Sequence, residues 1–307
     1  MASSQWRRRS DRDRTWPRLV ALGLFCAVGS MPLRADDSDI GKLLRDKGAT
    51  VTETKGVVTV VAVRDGSKLT DADFAQLGRL VHLKTLDLND CLTDERLAQL
   101  TGLTELENLQ TNLAKITDDG LKPLARLTKL RNVKFFHPGP AFSGAGLAHL
   151  AELPHLQSLT VAGSLAFNDA GMAAVAKLKG LQEFRTWHVG ATDEGVKCLK
   201  ELPQLKSLNL GQRLTYKPPV SPTDATLAIL ADLKSLETLQ LSEARLTFKA
   251  LQQLTKLPAL QKLILEGIDL PKGDVERLQR ELPKVKITWT EPNETYQKRI
   301  RALFGPE

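Results

Sequence analysis

Apolar residues in this chain recur at two spacings that take turns. Residues 83–106, LKTLDLNDCLTDERLAQLTGLTEL, show both. Leu83, Leu86 and Leu88 are set L-x-x-L-x-L, and from Leu86 apolar and polar positions alternate, which predicts a strand with one buried face. Thr93 then supplies a capping hydroxyl. Asp94 and Glu95 stand in the first turn, where the helix dipole favours carboxylates, and Leu97, Leu100 and Leu103 follow at helical spacing. One unit predicts one strand followed by one helix.

Laying this unit along the chain places the central strand residue at Leu86, Leu109, Val133, Leu159, Phe184, Leu208, Leu239 and Leu263, in steps of 23, 24, 26, 25, 24, 31 and 24 residues. A weaker copy with Val61 and Val63 precedes them, and a truncated strand with Ile287 and Trp289 follows. Helix starts recur at Thr70-Asp71, Thr93-Asp94, Thr117-Asp118, Ser143, Asn168-Asp169, Thr192-Asp193 and Thr223-Asp224. Neither element buries its apolar face alone, so the units must stack. Strands pair about 4.8 Å apart whereas packed helices need roughly 8 to 10 Å, so the stack must bend. The expected fold is an α/β solenoid, a horseshoe of about ten strands and nine helices with a concave parallel sheet and convex helices.

The chain resembles leucine-rich repeat proteins of the ribonuclease-inhibitor-like and cysteine-containing type, especially secreted bacterial members with an (I/V/L)-T-D-x-G-L helix signature. That signature stands here as Ile116-Thr117-Asp118-Asp119-Gly120-Leu121 and as Thr192-Asp193-Glu194-Gly195-Val196. The resemblance covers roughly residues 57–290. It implies a binding scaffold, with no catalytic residue to transfer.

Composition limits the partner. The formal charge is +7, but residues 1–35 hold seven arginines and two aspartates, so the remaining chain carries only +2 and shows no nucleic-acid footprint. Three cysteines, Cys26, Cys91 and Cys198, make no disulfide framework. Cys91 and Cys198 lie four rungs apart, roughly 20 Å at 4.8 Å per rung, beyond bridging distance. No zinc, nucleophile-elbow or phosphate-loop motif is present, so neither a cofactor nor a metal is expected.

The arginine-rich start, the apolar run Leu19–Val28 and the small residues after it read as a secretory signal peptide over 1–35, cleaved after Ala35 or, as second choice, Ser30. The apolar run is shorter than the ~20 residues a membrane-spanning helix needs, although an uncleaved N-terminal anchor is the alternative. Expected localisation is secreted, periplasmic or cell-surface. Residues 36–56 read as an N-terminal cap built on an amphipathic helix with Ile40, Leu43 and Leu44, residues 57–290 as the repeat domain, and 291–307 as a C-terminal capping helix that closes the sheet edge. Insertions at 137–142 and 213–222 lengthen loops on one rim.

Strand alternation sorts inward from outward residues. The outward positions are mostly small and polar. Phe136 and Trp187 are exceptions, two rungs apart in one column with Ala162 between, and Lys134, Arg185, His137 and His188 lie close by. Aromatics beside arginine have an interface composition. These six residues, with Tyr216 on the longer rim loop, form the candidate binding site for a protein, peptide or glycan. His137 and His188 stand about 10 Å apart across two rungs, too far to share a metal. Two other readings follow from the pattern. One is an F-box-like substrate adaptor, which the leader and the absence of an F-box-like module oppose. The other is a hydrolase using the histidines, for which no motif exists.

Overall fold

The period-two segments become strands and the stretches between them become helical turns that all return to one side. The computed structural model describes residues 36–212 and 221–305. The expected signal peptide and Tyr216 lie outside the described residues. Among the described residues eleven strands form one sheet in chain order. They are β1 (Thr50–Thr54), β2 (Val57–Val63), β3 (Thr85–Asn89), β4 (Asn108–Asn112), β5 (Asn132–Phe136), β6 (Ser158–Ala162), β7 (Glu183–Trp187), β8 (Ser207–Leu210), β9 (Thr238–Ser242), β10 (Lys262–Glu266) and β11 (Lys286–Thr290). The α-helices among the described residues are α1 (Asp37–Asp46), α2 (Asp71–Leu77), α3 (Asp94–Gln99), α4 (Asp169–Val175), α5 (Asp193–Lys197), α6 (Asp224–Leu230), α7 (Phe248–Leu251), α8 (Lys272–Glu281) and α9 (Glu294–Phe304).

From β2 to β11 all pairing is parallel, and the ten central apolar residues from Val61 through Leu159 to Ile287 are mutual register partners. Period two then turns the second and fourth residues of strands β3 to β10 to one face. Leu86, Leu109, Val133, Leu159, Phe184, Leu208, Leu239 and Leu263 are all buried between sheet and helices, and a helical leucine from each rung packs beside them.

The start differs from expectation in one element. The segment expected to cap the N-terminus with a helix contains α1 and also β1, which pairs antiparallel with β2. The turn at Lys55-Gly56, both at positive φ, makes this hairpin possible. Two expected helices, over 119–126 and 145–150, are 3-10 turns instead. In the first, Pro123 has no amide proton to donate; the second begins at Gly144, which is left-handed.

The helix starts are capped at Thr70, Thr93, Asn168, Thr192, Thr223 and also Thr247, where Phe248 replaces the usual aspartate. The aspartate after the cap has a role beyond the dipole of its own helix: it reaches forward one rung. Asp94 accepts from Thr117 N (2.9 Å) and Thr117 Oγ1 (2.7 Å). Asp169 does the same for Thr192, at 2.7 and 2.8 Å, and Asp224 for Thr247, at 2.9 and 2.7 Å. Asp118 accepts from Ser143 Oγ and Gly144 N, and Asp193 from the hydroxyls of Ser221, Thr223 and Thr226. The glycine of the signature follows from this ladder. A β-carbon at Gly120 would overlap Asp94 Oδ1, and one at Gly195 would overlap Asp169 Oδ1.

Two predictions test this architecture. Leu159→Asp places an unpaired charge in a fully buried site between two rungs and should cost about 3 kcal/mol or more, whereas Lys262→Asp on an exposed strand position should change stability by less than about 0.5 kcal/mol. Denaturant midpoints measure both, and equal losses would contradict the register. The second prediction concerns Asp73, the buried carboxylate of the α2 capping box. Burial pushes its pKa up, but Lys47 Nζ at 2.8 Å and the amide and hydroxyl of Thr70 outweigh that and hold it below 3.8. A depressed folded pKa adds stability that is complete above the unfolded value and disappears as pH falls through the folded one. The Tm gap between wild type and Asp73→Asn should therefore be widest at neutral pH and shrink below about pH 4. A gap independent of pH would rule out this ionic contribution.

Candidate functional site

The face of the sheet turned away from the helices carries three columns of side chains, one for each outward position of a strand. Several of them satisfy one another. In the first column Asn108 Nδ2 donates to Thr85 Oγ1 (3.2 Å), Asn132 Nδ2 to Asn108 Oδ1 (2.6 Å) and Ser158 Oγ to Glu183 Oε2 (2.9 Å). In the third, Asn112 Nδ2 donates to Asn89 Oδ1 (2.8 Å). These rails run across the strands as side-chain ladders do in sheets. A groove of about 360 Å³ lies on this face, lined from Thr85 and Asp87 on β3 to Glu183 and Arg185 on β7. A single groove across five strands requires a sheet that bends towards that side.

β5 to β7 interrupt the third column. Phe136 and Trp187 stand where asparagine stands on β3 and β4, with ring centroids 6.1 Å apart and planes tilted by 53°. Between them Ala162 pairs with both strands. Ser158, Thr160 and Ala162 do face outward as expected, but they are buried, with Thr160 and Ala162 only 2% exposed. Their small side chains lie below the taller ones of β5 and β7, so β6 is the floor of a valley. Both aromatic rings are half-buried. Arg185 lies over the Trp187 ring, its guanidinium carbon 5.8 Å from the centroid. Lys134 occupies the equivalent place on β5, two residues before Phe136.

The residue after each of these strands turns the chain out of the sheet in a left-handed conformation. Asp90, Leu113, His137, His188 and Glu243 all have φ between 45° and 54°. The strain recurs with the rung, so it belongs to the architecture and does not single out the histidines. Their partners differ. His137 Nδ1 is 2.9 Å from Asn112 Oδ1, whereas His188 Nε2 is 3.2 Å from Glu243 Oε1, reaching across the intervening β8 rung. Each imidazole thus has its own anchor, and the two do not converge. Among the described residues no group of three His, Cys, Asp or Glu side chains is placed to hold a metal ion.

Glu243 and Tyr296 extend the site beyond the seven residues legible in the sequence. Helix α9, expected to close the sheet edge, makes contacts with the turns that follow β9 and β10. Arg299 Nη1 lies 2.8 Å from Glu243 Oε2, Arg245 Nη1 donates to the Gly305 carbonyl at 2.9 Å, and the Tyr296 ring lies on Gly267, where a β-carbon would collide with it. Tyr296 joins Arg185, Trp187, His188, Asn209 and Glu243 around a cavity of about 310 Å³. Burial, with Glu243 and Glu266 nearby, pushes the Tyr296 phenol pKa up, so the phenol keeps its proton and remains a donor. No local pattern announces the contact with α9, because Glu243 and Arg299 are separated by the whole C-terminal part of the chain. Burial also pushes the Cys91 thiol up to about 11, which makes it an inert packing group; Cys91 and Cys198 are both free.

Residues 68–290 match the family model described as a leucine-rich repeat region. CD180 antigen of Mus musculus is 28% identical over 203 residues, which are 64% of this chain and 29% of that protein, so the chain spans less than a third of this relative's length. Internalin C2 from Listeria monocytogenes shares 20% identity over 83% of this chain and 93% of its own, with a TM-score of 0.46. The plant peptide hormone receptor RGFR1, solved in complex with RGF2, shares 14% identity over 75% of this chain and 40% of its own, with a TM-score of 0.37. The matched segment runs from just before α2 to the end of β11 and so takes in nearly every rung of the stack: the chain belongs to the leucine-rich repeat region family.

Proposed function

We propose that this protein is a non-catalytic binding scaffold of the extracytoplasmic space that takes a protein or peptide on the open face of its sheet. The leader pattern over 1–35 supports the location, and the helix signature supports the resemblance to secreted bacterial members of the family. In this reading residues 36–56 cap the first rung, 57–290 form the binding solenoid and 291–307 pack as a terminal helix against its last rungs. The observation that carries the reading is the aromatic pair. Phe136 and Trp187 are the large apolar residues of a column whose other members are small or polar, stand on either side of a buried alanine, and leave their rings partly open to solvent. Sheet packing has no use for them, since the core is on the other face. A half-buried aromatic pair beside an arginine is the arrangement from which interfaces draw most of their affinity. A neutral glycan is a weaker fit, because the two rings are tilted and form no continuous platform for a sugar face.

The test is selection of displayed random peptides of about twelve residues, long enough to cross several strands spaced 4.8 Å apart. Individual clones selected on the full chain should lose about 1 to 3 kcal/mol of affinity with Phe136→Ala and again with Trp187→Ala, at unchanged Tm. Thr238→Ala and Gln240→Ala, on the same face of β9, should do little. Binding should also shift the Trp187 emission to the blue, read as the component that Trp187→Phe removes. Clones that bind the double alanine variant as tightly as wild type would move the site away from this column, first to the rim loop around Tyr216.

A further inference from the structure

The charged side chains on the open face differ in whether they are paired. Asp87 on β3 has Arg64 at 3.7 Å, and Glu266 on β10 accepts from Gln240 at 2.9 Å. On β5 and β7 the balance is different. Lys134 and Arg185 sit in the central column, and neither makes an ion pair with any carboxylate among the described residues; the contact of Arg185 is the neutral Trp187 ring. Glu183 lines the same groove, but its Oε2 is engaged by the Ser158 hydroxyl.

The placement of these two cations is regular. Lys134 pairs in register with Thr160, and Thr160 with Arg185, so the two backbones lie about 10 Å apart with the valley floor between them. Each cation stands two residues before an aromatic, on the same face of its strand: Lys134 before Phe136 and Arg185 before Trp187. Over Thr160 the valley is therefore walled by a cation on either side, and over Ala162 it is closed by the two rings, which meet with centroids 6.1 Å apart. Thr160 and Ala162 do not rise into it, being 2% exposed.

We propose that the occupant of this valley is an acidic peptide segment, with a carboxylate held between Lys134 and Arg185 over Thr160 and a neighbouring apolar side chain resting on the outer surface of the Phe136–Trp187 ring pair, whose centroids lie 6.1 Å apart. The proposal rests on the reading of this face as a peptide site and names the chemistry of the peptide. A carboxylate side chain is about the right size for the gap, since both cations have long, flexible stems that reach inward from either wall. With its carbon 5.8 Å from the Trp187 centroid, the Arg185 guanidinium makes only a long cation-π contact, and the edge of its fork can donate to both oxygens of a carboxylate. A neutral or basic segment would cover the same two cations without replacing the water it displaces, and an unpaired charge covered in this way weakens binding.

Three measurements on the full chain decide it. The first is composition: peptides selected on wild type should be enriched in Asp or Glu close to a large apolar residue. The second is charge reversal. Lys134→Glu and Arg185→Glu should each weaken a wild-type clone by about 10- to 100-fold, Lys134→Gln and Arg185→Gln by less, and the doubly reversed protein should instead select peptides with Lys or Arg at the same place. The third is salt, because raising it from 0.1 to 1 M shortens the screening length from about 10 to 3 Å and should weaken wild-type clones more than clones of the doubly neutral variant. Circular dichroism and Tm establish that these outward substitutions leave the fold intact. If the selected pool has no excess of Asp or Glu, or clones ignore Lys134→Glu and Arg185→Glu while Trp187→Ala still weakens them, the acidic assignment is overturned and the aromatic site stands. If clones ignore all of these substitutions, or selection on the protein yields nothing beyond a blank surface, both readings fall.

Discussion

No rung of this protein is stable alone. A five-residue strand and one or two turns of helix expose their leucines to solvent on two sides, and each side is covered only by the rung before or after. The apolar layer that results runs unbroken from Ile40 in α1 to Val285 before β11. The other features of the chain answer to this requirement. Strand spacing fixes the rise from rung to rung, and parallel register keeps every central leucine on the buried face. The ends need separate treatment, because the first rung has no predecessor. There β1 and α1 take over: β1 pairs the open edge of β2, and α1 lays Ile40 and Leu44 against the first leucines.

Stacking by leucines alone is nondirectional and tolerates sliding. The aspartate ladder on the helix side removes that freedom. A carboxylate on one rung that accepts an amide and a hydroxyl from the next defines both distance and orientation, and charge-assisted bonds of this kind are stronger than neutral ones. The same crossing explains the glycine in the repeat signature, since the carboxylate passes where a β-carbon would project. The Thr-Asp-x-Gly pattern is thus a single device spread over two rungs: the threonine and glycine of one rung receive the aspartate of the rung before it.

Much of this was legible in the sequence because it depends on period. Two-residue alternation and a recurrence of about 24 residues determine strands, register and face without reference to anything distant, which is why Leu159 and Trp187 were assignable to opposite faces. What sequence reading missed depends on height or on folding back. Ser158 and Thr160 face outward yet are buried, because exposure on a bent sheet is set by the neighbours across two strands as well as by direction. Helix α9 has the apolar spacing of a cap, but spacing does not say which surface it covers, and so Tyr296 and the Arg299–Glu243 pair were not assigned to the site. The length of 213–222 is plain in the sequence, but residues 213–220 lie outside the described residues.

The open face is the side of the molecule on which stability makes the fewest demands. There Thr85, Asn89, Asn108 and Asn112 on β3 and β4 donate to and accept from one another, and a partner gains little by displacing such bonds. The binding proposed above is placed where this internal pairing fails. On β5 and β7 the asparagine of the third column is replaced by a ring and the polar residue of the central column by a cation, while β6 retreats to threonine and alanine. In the reading proposed above, the rings, which have no core to enter, and the cations, which meet no carboxylate among the described residues, supply the binding free energy of the face through Lys134, Phe136, Arg185 and Trp187. A repeat fold acquires a specific site in this way without altering its scaffold: the inward positions keep the period, and the outward positions of two or three adjacent rungs depart from it together.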